Sequence, residues 1–393
     1  MPQTQQQSTA FDVVVELLNR EGFEGMAQAI EILINEAMKI ERNEFLKAAP
    51  YQRTDDRRGR ANGFKDKEVH TRVGALRCRV PQVRDLPEGD HGFYPSSLEK
   101  GVRSERALKL AVAEMYIQGV STRKVAEITQ ELCGLDISSA QVSNAVASLD
   151  AELNEWRQRP LGETPYLLVD ARYEKVRHGG SVVDGCVLVA IGVLPDGSRT
   201  VLGASTSLSE AEVHWREFFD SLLARGLHGV KLIVSDDHSG LGAARKRSFP
   251  TVPWQRCQFH VQQNATAYVP KVSQRKEVAR DIRDIFNAPD RQEAERLLSK
   301  AVKKWTRSAP KLAKWMEENL EEGFTVFAFP PNHRRRIRTT NLLENLNKQI
   351  KRRTRVATLF PNHDSLLRLV SAVLIEVSEE WETGRKYLNM EQE

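Results

Sequence analysis

Cysteine is scarce in this sequence. Its 393 residues include four, at positions 78, 133, 186 and 257. They share no spacing that would mark a disulfide framework, which excludes a small secreted scaffold and fits a reducing cytosol. Long apolar runs are missing as well. One of the longest, Cys186 to Leu194, falls far short of the ~20 residues a membrane helix needs. Met1 to Phe11 is polar and Gln-rich, without the basic-then-apolar pattern of a secretory leader. There is also little excess charge: 58 Lys and Arg against 53 Asp and Glu leave +5, too small a total to name a partner. What is present is a hydrophobic fraction of 40% and a charged fraction of 28%. These suit a soluble globular chain that buries a sizeable core, and the length predicts two or three domains.

The small total hides an asymmetry. From His333 to Arg355 nine basic residues accompany one acid, Glu344, a net +8. From Tyr51 to Arg84 ten basic residues accompany four acids, a net +6. The two zones hold +14 of a total of +5, so the rest of the chain nets −9. Two concentrated basic zones on an otherwise acidic chain are the footprint of phosphate-backbone contacts. Plain solvated faces would look the same, so the charge needs chemistry beside it.

Apolar spacing predicts helices over Phe11 to Ala49, interrupted at Gly22 and Gly25, a packing or dimerisation element. Within the first basic zone Leu76, Cys78 and Val80 alternate with Arg77 and Arg79. That period of two predicts a half-buried hairpin strand with the two arginines side by side, placed for DNA contact or merely solvated. Helices follow over Glu105 to Gln118 and Thr122 to Cys133, the second capped by Ser121 and ended by Gly134. A third starts at the capping box Ser138-x-x-Gln141. This is a helix-turn-helix pattern with Ser139, Gln141, Ser143 and Asn144 at the exposed start of the recognition helix. A helical linker, Ala151 to Leu161, comes next.

Strands are then predicted over Tyr166–Asp170, Val182–Leu194 and Arg199–Ala204, with a helix opening at a Ser209-x-x-Glu212 capping box. A strand Val230–Ser235, a short helix Gly240–Lys246 and a strand Val252–Gln258 follow. The order β-β-β-α-β-α-β is that of a ribonuclease-H-like core. Residues 262–332 are helical in pattern, near 273–286, 290–306 and 309–322, and a helix over Thr340 to Arg353 closes the core. The fold class expected is multidomain α/β (α+β). Its parts are an N-terminal helical region (1–50), a basic hairpin region (51–100), a helix-turn-helix domain (101–161), a core in two parts (162–261 and 333–393) and a helical insertion (262–332).

Three acids stand out by position. Asp170 and Asp236 each end a predicted strand, and Glu344 lies in the basic helix. At 100° per residue, Leu342, Leu343, Leu346 and Ile350 share one side of that helix. Glu344, Asn341, Asn347, Lys348 and Lys351 share the other. Glu344 taken singly reads as an ion-pair neutraliser. Taken with the two aspartates it completes a site for two Mg²⁺ ions, which Mn²⁺ can replace. Such ions sit ~3.5–4 Å apart among converging carboxylates. Arg334, Arg335, Arg336, Asn341, Lys348, Lys351, Arg352 and Arg353 would then grip double-stranded DNA across it. Cys257-x-x-His260 has no second Cys/His pair to complete the four ligands of a structural zinc. It therefore reads as a packing or ligand-orienting pair, and His238 as an orienting or a surface histidine.

These residues resemble the Mutator-type DDE transposases of bacterial insertion sequences. The resemblance runs from Glu41 onward through P-Y-Q-R-T, A-N-G-F-K, M-Y-I-Q-G-V-S-T-R-K, L-L-V-D-A-R-Y-E-K-V-R at Asp170 and V-S-D-D-H-S-G-L at Asp236. It continues through W-Q-R-C-Q-F-H at Cys257 and T-T-N-L-L-E-N-L-N-K-Q-I-K-R-R at Glu344. It implies that Asp170, Asp236 and Glu344 are the catalytic triad, and that Cys257 and His260 are the family's C-x-x-H signature. It further implies binding of terminal inverted repeats, Mg-dependent cleavage and strand transfer, and a homodimer on DNA. A copy-out route through a circular intermediate and a cytoplasmic, nucleoid-associated location are implied as well. One departure is Asp237, where the family usually carries a small residue. A non-cleaving DNA-binding regulator and a ribonuclease-H-like structure-specific nuclease are the alternatives.

Overall fold

The computed structural model describes residues 9–87, 92–98, 100, 104–355 and 359–390. Most of the Gln-rich start singled out above, residues 1–8, lies outside them. The chain divides into two compact units, Met1–Ser148 and Leu149–Glu393. No helix among the described residues is long and apolar enough to cross a membrane.

In the first unit, helix α1 (Ala10–Glu21) opens with a capping box between Thr9 and Asp12. It packs Val14 and Leu17 on Ala29 of α2 (Met26–Phe45). Strands β1 (Arg60–Thr71) and β2 (Gly74–Arg84) pair antiparallel. The alternation in β2 is realised: Leu76, Cys78 and Val80 are buried against Met38 of α2, so Arg77 and Arg79 point to solvent, opposite Glu68 and Asp66 in the ladder. Helices α3 (Arg106–Ile117), α4 (Thr122–Cys133) and α5 (Ser139–Ala147) share a core of Leu108, Val112, Val125 and Val142. Ser121 caps α4, left-handed Gly134 ends it, and Ser138 and Gln141 form the expected capping box of α5.

The second unit begins with α6 (Asp150–Gln158), which Arg368 and Ser371 anchor through Asp150 and Arg157. Strands β3 (Tyr166–His178), β4 (Ser181–Val193) and β5 (Arg199–Ser207) form an antiparallel meander. Then come α7 (Glu212–Ala224), β6 (Leu232–Ser235), α8 (Ser239–Ser248) and β7 (Trp254–Arg256). The sheet order is β5-β4-β3-β6-β7, with β6 parallel to β3 and β7 parallel to β6. One face buries Leu167, Val169, Leu188 and Ala190 under Trp215, Phe218, Phe219 and Leu222 of α7. Helices α9 (Gln258–Ala265), α10 (Arg275–Phe286), α11 (Arg291–Thr306) and α12 (Pro310–Asn319) build a core of their own around Ile282, Leu298, Leu312 and Met316. The chain closes with α13 (Pro331–Ile337), α14 (Asn341–Thr354) and α15 (His363–Thr383), α14 lying against β3 and α15 against β5.

Three local expectations are corrected. Strand β3 does not stop at Asp170. It continues to His178 because β4 pairs with it along its whole length through the turn Gly179–Gly180, both at positive φ. The Ser209/Glu212 capping box does not form: α7 starts at Glu212 without a side-chain cap, and the Ser209 carbonyl accepts the Ser207 hydroxyl instead. Gly240 explains the detour. A Cβ there would lie 2.1 Å from the Glu210 carbonyl oxygen, so α8 presses directly on the backbone ahead of α7. Strand β7 is shorter than Val252–Gln258, because Cys257 already caps α9.

Candidate active site

The parallel pairing of β3 with β6 ends at Leu168 opposite Val234. Asp170 and Asp236 each follow two residues later, so the register brings both acids to the same level just past the end of the β3–β6 pairing, while β3 runs on beside β4. Adjacent strands lie ~4.8 Å apart. Helix α14 delivers the third acid. It buries Leu342, Leu343, Leu346 and Ile350 and thereby turns Glu344, Lys348 and Lys351 outward. Asp170, Asp236, Glu344 and both lysines line one cavity of ≈ 530 Å³.

Strand β3 fastens α14 with every second residue. Asp170 Oδ2 accepts the Asn347 amide at 2.8 Å, Arg172 donates to the Asn347 carbonyl, and Glu174 accepts the Thr354 hydroxyl at 2.9 Å. Arg172 and Glu174 form an ion pair with side chains only 12% and 15% exposed. Alternate residues of a strand share a face, so one side of β3 supplies both an acid of the site and the anchor of the helix opposite.

Cys257 fastens the start of the same helix. Its sulfur accepts the Thr340 N–H at 3.3 Å and the Thr340 hydroxyl at 3.2 Å, and the Thr340 carbonyl accepts the Glu344 N–H at 2.9 Å. Burial pushes the thiol up, but hydrogen bonds from His260 and Thr340 outweigh it and hold it below its usual value. The same bond raises His260 to about 9 against its own burial, with Asp236 and Asp170 adding to the rise. His260 is therefore cationic at neutral pH, 3.9 Å from Asp236 Oδ2.

Burial lifts Asp170 to about 6. A backbone hydrogen bond from Ala171 and the His260 charge oppose the rise, and Glu210 and Asp236 add to it. Glu344 Oε1 is buried without a hydrogen-bond partner among the described residues. Asp237 also lines the cavity; its carboxylate lies 3.3 Å from the buried Arg256 guanidinium, and its N–H donates to Asp236 Oδ1 at 2.8 Å. His238 sits 3.7 Å from Glu210 Oε2. Among the described residues no group of three His, Cys, Asp or Glu stands close enough to hold a metal ion as it is.

The family model described as Transposase, Mutator family matches residues 3–384. The chain belongs to the Mutator family of transposases. Among its relatives, the transposase for insertion sequence element IS406 of Burkholderia multivorans is 58% identical over 370 residues, 94% of each chain. The transposase for ISRM5 of Rhizobium meliloti is 40% identical over 94% of this chain and 91% of the relative. The transposase for IS256 in Tn4001 of Staphylococcus aureus is 36% identical over 91% and 92%.

The basic residues of this Mutator-family chain divide by position. Lys348 and Lys351 reach the carboxylate cavity, and Asn341 and Arg352 are exposed on the same helix. Arg353 turns to Glu376 of α15 at 3.2 Å. Arg334 donates to the Phe329 and Pro289 carbonyls, which occupies it structurally. Arg335 is exposed, and Arg336 stacks on Tyr387. In the first unit Arg77, Arg79, Ser139, Gln141, Ser143 and Asn144 are all exposed. Sequence reasoning missed Asn347, Arg172 and Glu174, although the period-two spacing of Asp170, Arg172 and Glu174 was there to be used. It also missed Glu210, which lines the cavity and had no sequence signal once the capping box was assumed.

The raised Asp170 value has a stability consequence. Its folded value of about 6 lies above the ordinary 3.8, so this group favours the fold when protonated. That contribution is complete below about pH 3.8 and is lost as pH rises through about 6. A rise from 3.8 to about 6 corresponds to at most ~3 kcal/mol, and partial solvent contact reduces this to ~1–2 kcal/mol. Asp170→Asn is therefore expected to stabilise the cation-free protein by that amount at neutral pH and by nothing near pH 4. Urea midpoints of both proteins at the two pH values check it, and identical midpoints at neutral pH refute it.

Proposed function

We propose that this Mutator-family chain binds the terminal inverted repeats of an insertion sequence and catalyses metal-dependent cleavage and strand transfer of DNA. The observation that carries the reading is the β3–β6 register, which sets Asp170 and Asp236 at one level just past the end of that pairing, in one cavity with Glu344, Lys348 and Lys351. We read the five-stranded unit as a ribonuclease-H-like core with α9 to α12 as its insertion, and α4 and α5 as a helix-turn-helix. Asp170, Asp236 and Glu344 are the residues that would hold Mg²⁺ or Mn²⁺. Their hard oxygen donors fit those ions, as do the orphaned Glu344 oxygen and the desolvated Asp170. When bound, such ions supply Lewis-acid activation of water or a 3′-hydroxyl and neutralise phosphate charge.

The chain's own side chains do the rest. Lys348 and Lys351 hold backbone phosphate over the acids. Asn347 fixes the Asp170 carboxylate through its amide. His260 balances the charge of Asp236, and Cys257 fixes the turn that carries Glu344. The exposed start of α5 and the Arg77/Arg79 face engage the transposon end, with two copies of the chain on paired ends and excision by a copy-out route. The test is incubation of the purified protein and end-bearing duplex with Mg²⁺ or Mn²⁺, scoring nicked and joined strands. Absence of both products with either ion, under conditions where the duplex is bound, overturns the proposal.

A further inference from the structure

A second cavity, of ≈ 840 Å³, opens beside the β4–β5 turn and is lined by Arg199, Arg336, Arg385 and Lys386 against one acid, Asp196. The segment after α15 forms one wall and is firmly held. Tyr387 and Leu388 both donate their N–H groups to the Gly197 carbonyl, at 2.9 and 3.0 Å. His333 bonds the Asn389 carbonyl at 2.7 Å, and Leu388 is 4% exposed. The fit against the turn is close: a Cβ on Gly197 would meet the Leu388 oxygen at 1.9 Å.

Tyr387 stands between two cations, with Arg199 and Arg336 each 5.2 Å from its ring centroid. Arg199 also lies 4.7 Å over Trp381. Aromatic faces attract guanidinium groups but do not neutralise them. Among the described residues the cluster's one ion pair is Lys386 with Asp196 at 3.8 Å, and Asp196 already accepts the Ser198 N–H and hydroxyl. Arg199 Nε is buried with no hydrogen-bond partner among the described residues. Four cations gathered around a half-buried cavity against a single acid repel one another. An anion with several oxygens relieves that repulsion, and guanidinium forks bind phosphate oxygens in pairs.

We infer that this cavity is a second binding site for the phosphate backbone of duplex DNA, distinct from the carboxylate cavity. In the β3–β4 ladder Val193 pairs with Tyr166, whereas Val189 pairs with Asp170. The turn therefore lies beyond the end of the ladder, at least four pairs or ~13 Å from the acids along the strands. The site recognises backbone charge and not base sequence, and it holds a stretch of duplex away from the reacting bond.

The inference rests on the DNA-processing reading above, and the experiment separates the two. Binding of the full chain to a random-sequence duplex is measured by fluorescence anisotropy over a range of salt. Arg385 and Lys386 are exposed, and their double alanine variant is expected to keep the wild-type melting temperature. The slope of log K against log salt should fall by about 2, since each lost phosphate contact removes ~0.9. The conservative Arg385→Lys, Lys386→Arg variant restores it. Lys311 and Lys314, exposed on α12, serve as the matched control pair and leave the slope unchanged when replaced by alanine. A wild-type slope for the Arg385/Lys386 alanine variant overturns the inference, as does an equal fall for the control pair. If the wild-type chain binds no duplex at any salt, the DNA reading itself fails. If Lys348→Ala, Lys351→Ala weakens binding and the Arg385/Lys386 alanine variant does not, only the second site fails.

Discussion

On the proposed function, a Glu344→Gln protein is expected to bind end-bearing DNA at least as tightly as the parent and to cleave it slower by a factor on the order of 10³, equivalent to ~4 kcal/mol of barrier. The two expectations come from the same geometry. Glutamine fits the glutamate's volume, and the helix it sits on is held independently by Leu343, Leu346 and Ile350 in the core, by Cys257 at one end and by Glu174 at the other. The substitution therefore removes a charge and leaves the scaffold intact. That charge is the one acid among nine basic residues between His333 and Arg355, so its loss lowers the repulsion felt by incoming phosphate and binding does not suffer. Cleavage does, because a neutral amide cannot replace an anionic oxygen donor for a hard cation. Paired gel-shift and nicking assays decide the matter. Residual cleavage within tenfold of the parent sinks the assignment of Glu344, and weakened binding sinks the account of its electrostatics.

Arg172→Met is expected to destabilise the second unit by ~3 kcal/mol, within the range for breaking one side of a buried ion pair. Arg172 joins two groups in the wall of the cavity, bonding Glu174 and the Asn347 carbonyl. Its removal leaves the Glu174 carboxylate nearly buried with only the Thr354 hydroxyl, and an unpaired buried charge costs more than the pair ever contributed. The double change Arg172→Met, Glu174→Met should recover most of the loss, since replacing a buried pair with apolar side chains is often neutral. Urea denaturation of the three variants completes the cycle. A single-variant loss under ~0.5 kcal/mol would place the pair among ordinary surface contacts. On the proposed function, cleavage is expected to fall in both variants, because the Asn347 carbonyl loses the Arg172 donor that ties α14 to β3.

Much of this was readable from residue order, for identifiable reasons. The alternation of Leu76, Arg77, Cys78, Arg79 and Val80 specified a strand and both of its faces, since a period of two has no helical counterpart. Ser121, Gly134 and Ser138 marked helix ends through chemistry local to the cap. The apolar stripe of α14 oriented Glu344 and Lys348 before any neighbour was known. The errors fall where distant backbone intervenes. Nothing near Asp170 tells β3 to continue, because the reason is the pairing of its second half with β4 up to Ser181. Ser209 and Glu212 have the spacing of a cap, but α8 presses Gly240 on the backbone between them. Asn347 reads as an ordinary polar position on an exposed helix face until β3 arrives beneath it. Local signals survive folding unless a long-range contact competes for the same backbone.

The hydrogen bond between Asn347 and Asp170 spans 177 residues, and that length sets an order of events during synthesis. Chains leave the ribosome N-terminus first and fold domain by domain as they emerge. The first unit, with its exposed α5 and hairpin arginines, is finished while α14 is still untranslated. Asp170 and Asp236 also exist long before the helix that carries Glu344 and the lysines of the cavity. On the proposed function, a growing chain would thus acquire its grip on DNA before it acquires the means to cut. On that reading, a product truncated between Ser148 and Glu344 would occupy the element's ends without processing them, a built-in competitor to the full-length protein.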